Sequence, residues 1–381
     1  MSQKRSILDS LNAGRHRRPS TSIERLDRTL EELEGRIDRS RPRPDQGSHY
    51  DRDDREASSR AEPAPHYSML ERNVRQARTR EEEFASVSQI AADLQALREL
   101  DNAFRVLEQF RGRRKVTVFG SARTPVEHPI YALARELGRK LAASDMMVIT
   151  GAGGGIMAAA HEGAGLDYSL GFNITLPFEQ HANATVDGTG NLLPFHFFFT
   201  RKLFFVKEAD ALVLCPGGFG TLDEALEVLT LVQTGKSPLV PIVLLDAPGG
   251  TFWEGALAFI RNELEANRYI LPTDMNLLKL VYSADEAVDE INRFYSNFHS
   301  SRWLKNTFVI RMHHPLSEDA LAHLQDAFAD LRLSEDFHQH GHQDEHDDEQ
   351  LSHLTRLAFK FNGRNQGRLR ALVDYINLSE N

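Results

Sequence analysis

The stretch CPGGFGTLDEALEVLTLVQTGK, residues 215–236, sets Gly217, Gly218 and Gly220 in a tight run after a hydrophobic segment and then opens an amphipathic helix. A glycine-rich turn feeding a helix collects unsatisfied backbone N–H groups at the positive end of the helix dipole, an arrangement that holds phosphate without a cation. The stretch therefore asks for an anionic ligand. Thr221 and Glu224 stand just behind the glycines and admit two readings. Thr221-x-x-Glu224 has the spacing of a capping box, in which side chains satisfy backbone donors at a helix start. The same spacing also places a carboxylate beside whatever the turn binds.

Working outward, short apolar runs alternate with helical patterns of about a dozen residues: VTVFG (116–120), MMVIT (146–150), YSLGFNI (168–174), ALVLC (211–215) and LVPIVLL (239–245). Such alternation predicts an α/β fold with a Rossmann-like parallel sheet covered by helices on both faces. In these sheets ligands sit at the carboxyl ends of the strands. Three predicted strand ends carry glycine loops that should converge there: Gly120-Ser121-Ala122-Arg123, GAGGGIMAAAHEGAG from 151, and PGGFGT from 216. Gly153, Gly155 and Ala158 have the G-x-G-x-x-A spacing of a dinucleotide site, or serve close helix-to-strand packing. That motif follows the second strand, and SLGFNITLP offers no acid to grip a ribose 2′-hydroxyl, which disfavours a dinucleotide oxidoreductase. No glycine loop continues into the Lys-Ser/Thr of a P-loop, which disfavours NTP hydrolysis.

The segments FGSART…HPIYALARELGRKLA, VITGAGGGIMAAAHEGA and TRKLFFVKEADALVLCPGGFGTLDEALEVLTLVQTGK resemble, in order and spacing, the Lonely Guy family of nucleoside 5′-monophosphate phosphoribohydrolases. The resemblance covers roughly residues 111–297. It implies a Rossmann-like homodimer or higher homo-oligomer that cleaves the N-glycosidic bond of AMP or of a cytokinin riboside 5′-monophosphate, giving free base and ribose 5-phosphate. It implies no metal and no other cofactor. Members are often called lysine decarboxylases, but these motifs assemble no pyridoxal phosphate site. Carried over by position, the family's catalytic arginine falls on Arg201 and its glutamate on Glu224. Lys202, Gly217, Gly218, Gly220 and Thr221 fall on the substrate and phosphate site, Ser121 on the first loop, and Gly153, Gly154 and Met157 on the second. Ala152 departs from the glycine that relatives often carry. The residue types suit the chemistry, since a carboxylate stabilises an oxocarbenium-like state and activates water while an arginine holds ribose or phosphate. A non-catalytic nucleotide sensor with the same turn is the alternative. The aromatic cluster FHFFFTRKLFF supplies core or dimer contacts, or a face for adenine.

Composition sets the context. The 381 residues are 41% hydrophobic, with no apolar run long enough to span a bilayer and no signal-like start. A single cysteine, Cys215, excludes a disulfide framework and fits a reducing cytoplasm, as a small core residue at a strand end. The net charge of −10 argues against a nucleic-acid binder. Residues 1–80 are rich in Arg, Asp, Glu, Ser and Pro and predict a disordered arm with one short amphipathic helix. A long helix is expected over 81–110, the nucleotide-binding domain over 111–300, and a small α+β domain over 303–381 read as strand, helix, strand, helix, in a ferredoxin-like arrangement. Within it SEDFHQHGHQDEHDDEQ mixes His338, His340, His342 and His346 with acids and reads as a solvated loop rather than a metal site.

Overall fold

The computed structural model describes residues 92–175, 181–334, 336–341 and 351–379. The arm over 1–80, residues 81–91 of the expected long helix, and His342 and His346 lie outside them. The chain divides into two compact units, Met1–Asp101 and Asn102–Asn381. In the first, residues 92–101 are helical. The second begins with helical residues 102–108 and contains two sheets.

The larger sheet has seven strands, all parallel: β1 (Lys115–Phe119), β2 (Met147–Thr150), β3 (Ser169–Ile174), β4 (Leu192–Phe195), β5 (Ala211–Leu214), β6 (Ile242–Leu245) and β7 (Leu278–Val281), in the order β4-β3-β2-β1-β5-β6-β7. The inner strands are short, apolar and buried on both faces, as a covered parallel sheet demands. Val116, Val118, Val148, Val213 and Val243 meet one helical layer. That layer consists of α1 (Pro129–Ala143), α2 (Ile156–Ala164) and a helix over Ala284–Phe294. On the other face Phe119 and Phe172 pack on Phe205 of α3 (Phe198–Lys207), at ring separations of 4.8 and 5.2 Å. Cys215 is buried at the end of β5, as expected of a small core residue.

Two strands escape the sequence reading, β4 and β7, which form the two edges. Each is only four residues long, and β4 contains Pro194, which an edge strand tolerates and an inner strand does not.

The smaller sheet has the order β10-β11-β9-β8, all antiparallel, from β8 (Phe298–Leu304), β9 (Thr307–Met312), β10 (His338–His340) and β11 (Thr355–Phe359). With helices over Glu318–Ala327 and Gln366–Leu378 the element order is ββαββα, so the ferredoxin-like expectation, βαββαβ, fails. Polar FHSSRWL hid β8, which is half-exposed and held by its hairpin partner β9. His338 and His340 also depart from the loop reading: they lie on β10, where Gln339 accepts from the Leu316 N–H (2.8 Å) and donates to its carbonyl (3.1 Å). The carboxy-terminal helix ties this sheet to the core. Asn377 accepts from the N–H groups of Asn297 and Phe298 and donates to the carbonyl of Phe294 (2.7 Å), while Arg370 pairs with buried Glu290.

Candidate functional site

Because the larger sheet is parallel, the loops leaving β1, β2 and β5 emerge at one edge, and they interlock there. Ser121, after β1, donates its N–H to the carbonyl of Pro216 (3.1 Å) and accepts from the N–H of Ile156 (3.0 Å), linking all three loops. Two glycines make this approach feasible. A Cβ on Gly155, whose φ is +59°, would lie 2.2 Å from the Ser121 carbonyl oxygen, and one on Gly217 would lie 2.2 Å from the Thr221 hydroxyl. Gly218 and Gly220 differ: a Cβ there would meet nothing within 4 Å.

The helix after the third loop, α4 (Phe219–Gln233), starts two residues before Thr221. Its N-cap is Gly218, with no side-chain cap hydrogen bond, so the Thr221/Glu224 capping box does not form. The glycine turn itself makes the helix start, and the N–H groups of Gly217, Gly218, Phe219 and Gly220 have no acceptor among the described residues. Glu224 is thereby released from any capping duty. It is only 7% exposed, and its Oε2 is buried without a hydrogen-bond partner among the described residues. Its Oε1 lies 3.8 Å from the Lys202 ammonium, too far for a good hydrogen bond. Burial pushes this carboxyl up to about 7, opposed by the charges of Lys202 and Arg201 and reinforced by Glu227 and Asp223. Lys202 spends its hydrogen bonds on Asp223 and Glu227, both at 2.7 Å, and these hold it charged against its own burial. Asp223, one residue before Glu224, is an exposed partner of that lysine.

Arg201 reaches the site from α3. Its Nε donates to the carbonyl of Phe172 (2.8 Å), and its guanidinium lies over the Phe205 ring at 5.0 Å. The end of β2 makes room for it, since a Cβ on Gly151 would sit 2.4 Å from an Arg201 nitrogen and 3.0 Å from the Met157 sulfur. Desolvation lowers the Arg201 pKa and the Glu224 charge raises it, so the two groups sense each other across the site.

Thr150, His161 and Asn183 escaped the sequence reading. Asn183 donates its backbone N–H to Ala152 (2.7 Å) and its amide to the Gly153 carbonyl (3.1 Å), and Thr150 Oγ1 accepts from the Ala152 N–H (2.9 Å). His161, fully buried, joins Thr150 to Asn183 and is held near 4 by desolvation, hence neutral. This network fixes the second loop with Ala152 at φ +60°, so the loop keeps a backbone shape that favours glycine despite the alanine. Gly151 was visible only as a strand end, and a histidine on a helix's apolar face reads as core. Gly154, by contrast, is exposed, its would-be Cβ 3.3 Å from the Ala122 carbonyl.

The residues expected at the site lie at this edge, Ser121, Gly153 and Gly154 on the first two loops, Met157 in the first turn of α2, and Arg201, Lys202, Gly217, Gly218, Gly220, Thr221 and Glu224 on the remaining elements. The aromatic cluster divides. Phe195, Phe204 and Phe205 are core, while Phe198, Phe199 and Phe219 are exposed, Phe219 by 93%. Among the described residues no three His, Cys, Asp or Glu side chains form a group able to hold a metal ion, and no helix is long and apolar enough to cross a membrane.

Residues 154–291 match the family model described as "Possible lysine decarboxylase". A cytokinin riboside 5′-monophosphate phosphoribohydrolase of Arabidopsis thaliana is 27% identical over 186 residues, 48% of this chain and 83% of that protein. A second enzyme of that name and organism is 35% identical over 94 residues, 25% of this chain and 42% of that one. Among solved structures, the molybdenum cofactor binding protein of the phototrophic bacterium Rippkaea orientalis aligns at 21% identity over 47% of this chain and 96% of its own, with a TM-score of 0.34. The sequence matches and the motifs of the three glycine loops agree: the central region of this chain resembles the Lonely Guy family of phosphoribohydrolases.

Proposed function

We propose that the chain hydrolyses the N-glycosidic bond of nucleoside 5′-monophosphates, AMP or a cytokinin riboside 5′-monophosphate, to free base and ribose 5-phosphate. The observation that carries this reading is Glu224: a buried carboxyl with an oxygen lacking a hydrogen-bond partner, within electrostatic reach of Arg201 and behind a glycine turn with unsatisfied N–H groups. The turn from Gly217 to Thr221 takes the 5′-phosphate at the start of α4, and Arg201 holds the ribose or phosphate in register. As the C1′–N bond lengthens, its electron pair leaves with the base and positive charge grows on the sugar. Ionised Glu224 stabilises that charge and accepts a proton from the attacking water, whose oxygen bonds to C1′. The departing base takes up a proton in exchange, so no net charge is created. A carboxyl near 7 suits this work, because at neutral pH it is ionised in a large fraction of molecules yet basic enough to accept a proton.

Ser121, Gly153, Gly154 and Met157 form the walls of the site. We place the enzyme in the cytoplasm as a homodimer or higher homo-oligomer, with exposed Phe198 and Phe199 offering apolar surface to a second copy or to the base. Light scattering tests the assembly. The decisive experiment incubates the purified chain with a panel of nucleoside monophosphates and separates the released bases by chromatography. Adenine and ribose 5-phosphate in equal amounts are expected from AMP. Thermal protection by AMP with no base released would instead establish a sensor. Adenosine, which lacks the phosphate, should react with a kcat/KM lower by about a hundredfold or more; equal efficiency would remove the phosphate assignment.

A further inference from the structure

At the opposite edge of the larger sheet the chain forms a cavity of about 440 Å³, lined by Arg111, Arg113, Arg114, Ser144, Asn292 and His299 among others. Residues 111–114 lead into β1, 144–146 into β2 and Asp210 into β5, so the cavity faces the amino ends of the strands whose carboxyl ends carry the glycine loops. Strands of four or five residues separate the two places by roughly 15 Å. This cavity therefore forms no part of the site described above.

Its arginines are unequally engaged. Arg111 pairs with Glu108 (2.6 Å) and Arg113 with Asp145 (3.3 Å). The half-buried Arg114 guanidinium is oriented by stacking 4.2 Å from the Tyr295 ring centroid and has no carboxylate or other hydrogen-bond acceptor among the described residues. Asp210, the acid on the same wall, already accepts from the Lys115 N–H (2.8 Å). The charges around Arg114 are mixed: the Asp210 carboxylate lies within its electrostatic reach, while Arg111, Arg113 and His299 share the cavity wall with it. Burial, with His313, Arg311 and Arg114 adding to it, drives His299 down to about 4, so the imidazole stands neutral beside the cavity's arginines.

We infer that this cavity is a second ligand site, for a small phosphate ester that carries hydroxyl groups, with its phosphate on the guanidinium fork of Arg114. A planar guanidinium held by stacking is preorganised for phosphate oxygens. Ser144, Asn292 and the Asp145 carboxylate supply partners for hydroxyls, and the volume suits a sugar phosphate or a mononucleotide. Asn292 lies on the last core helix and His299 on β8, so the ligand would bridge the core and the smaller sheet.

The test is calorimetry on the full chain carrying Gly218→Asp, whose added carboxylate repels phosphate from the glycine turn. Inorganic phosphate, ribose 5-phosphate and AMP are titrated separately. One binding event is expected for ribose 5-phosphate, weaker binding for inorganic phosphate, and a loss of about tenfold or more in affinity when Arg114→Gln or the exposed Ser144→Asp is added. Tighter binding of AMP than of ribose 5-phosphate identifies a nucleotide as the occupant. Hydrogen exchange on the wild-type chain with ribose 5-phosphate should protect amides 111–114, an observation independent of how Gly218→Asp folds. No binding in the Gly218→Asp chain, or binding indifferent to both additional changes, overturns the proposal; inorganic phosphate binding as tightly as the esters overturns its hydroxyl-bearing part. Failure of AMP hydrolysis in the wild type would count against the catalytic reading and leave this binding measurement untouched.

Discussion

Two buried glutamates in one molecule have opposite surroundings. Glu290, 3% exposed, pairs with Arg370 at 2.5 Å and with Arg293, while Glu224, 7% exposed, has one ammonium at 3.8 Å and an oxygen with no hydrogen-bond partner among the described residues. Burial alone pushes both carboxyls up. At Glu290 the two arginines more than offset it and the pKa falls below 4.5, whereas at Glu224 burial prevails. The difference separates a group that holds structure from one left available for chemistry: burial marks both, and pairing tells them apart.

The largest effect should come from breaking the paired site. Glu290→Ala leaves the buried Arg370 guanidinium with Asp374 (2.9 Å) as its one remaining carboxylate among the described residues, which should cost about 3 kcal/mol in urea unfolding while turnover per folded molecule stays near normal. A stable Glu290→Ala protein with lost turnover would reverse the comparison. Next, Glu224→Gln keeps the size of the side chain and removes its charge. AMP turnover should fall by roughly a hundredfold or more, with a melting temperature equal to or slightly above that of the wild type. Near-normal turnover in that variant ends the catalytic reading.

The same pair predicts opposite pH dependences of stability. Glu224 has a raised folded pKa, so its contribution is fully present below 4.5 and is lost as the pH rises through about 7. Glu290 has a lowered one, so its contribution is present above 4.5 and is lost as the pH falls through its folded value. Melting curves from pH 5 to 8 should therefore show Glu224→Gln gaining on the wild type as the pH rises; parallel curves would mean that Glu224 ionises normally. The smallest effect belongs to Lys202→Met. Removing the ammonium that lowers the Glu224 pKa should move the acidic limb of the kcat profile, near pH 7 in the wild type, upward by roughly half a unit to one unit. A limb that stays in place would assign that titration to another group.

Much of this arrangement can be read from the chain. Five inner strands declare themselves because each is a short apolar run ending at glycine or proline or followed by a helical pattern, and parallel topology then dictates that their loops meet. The edges are harder to read, since β4 carries Pro194 and the apolar run of β7, LKLV, is broken by Lys279. The spacing of Thr221 and Glu224 is equally compatible with a cap or a site, and what decides is that the backbone of Gly218 begins the helix two residues early. Least legible are tertiary close approaches. Gly155 against Ser121 and Gly151 against Arg201 join residues about 30 and 50 positions apart, and the cavity around Arg114 gathers side chains from elements that share no motif.

Pro194 has a consequence for how copies of this chain can meet. A strand that lacks an N–H and is four residues long is a poor template for another strand, and β7, at the far edge, is equally short. The sheet is thus closed to growth at both margins. Contact between copies at this sheet therefore falls to helical faces and exposed side chains such as Phe198 and Phe199, whereas the smaller sheet keeps a seven-residue edge strand, β8, better suited to pair with another strand.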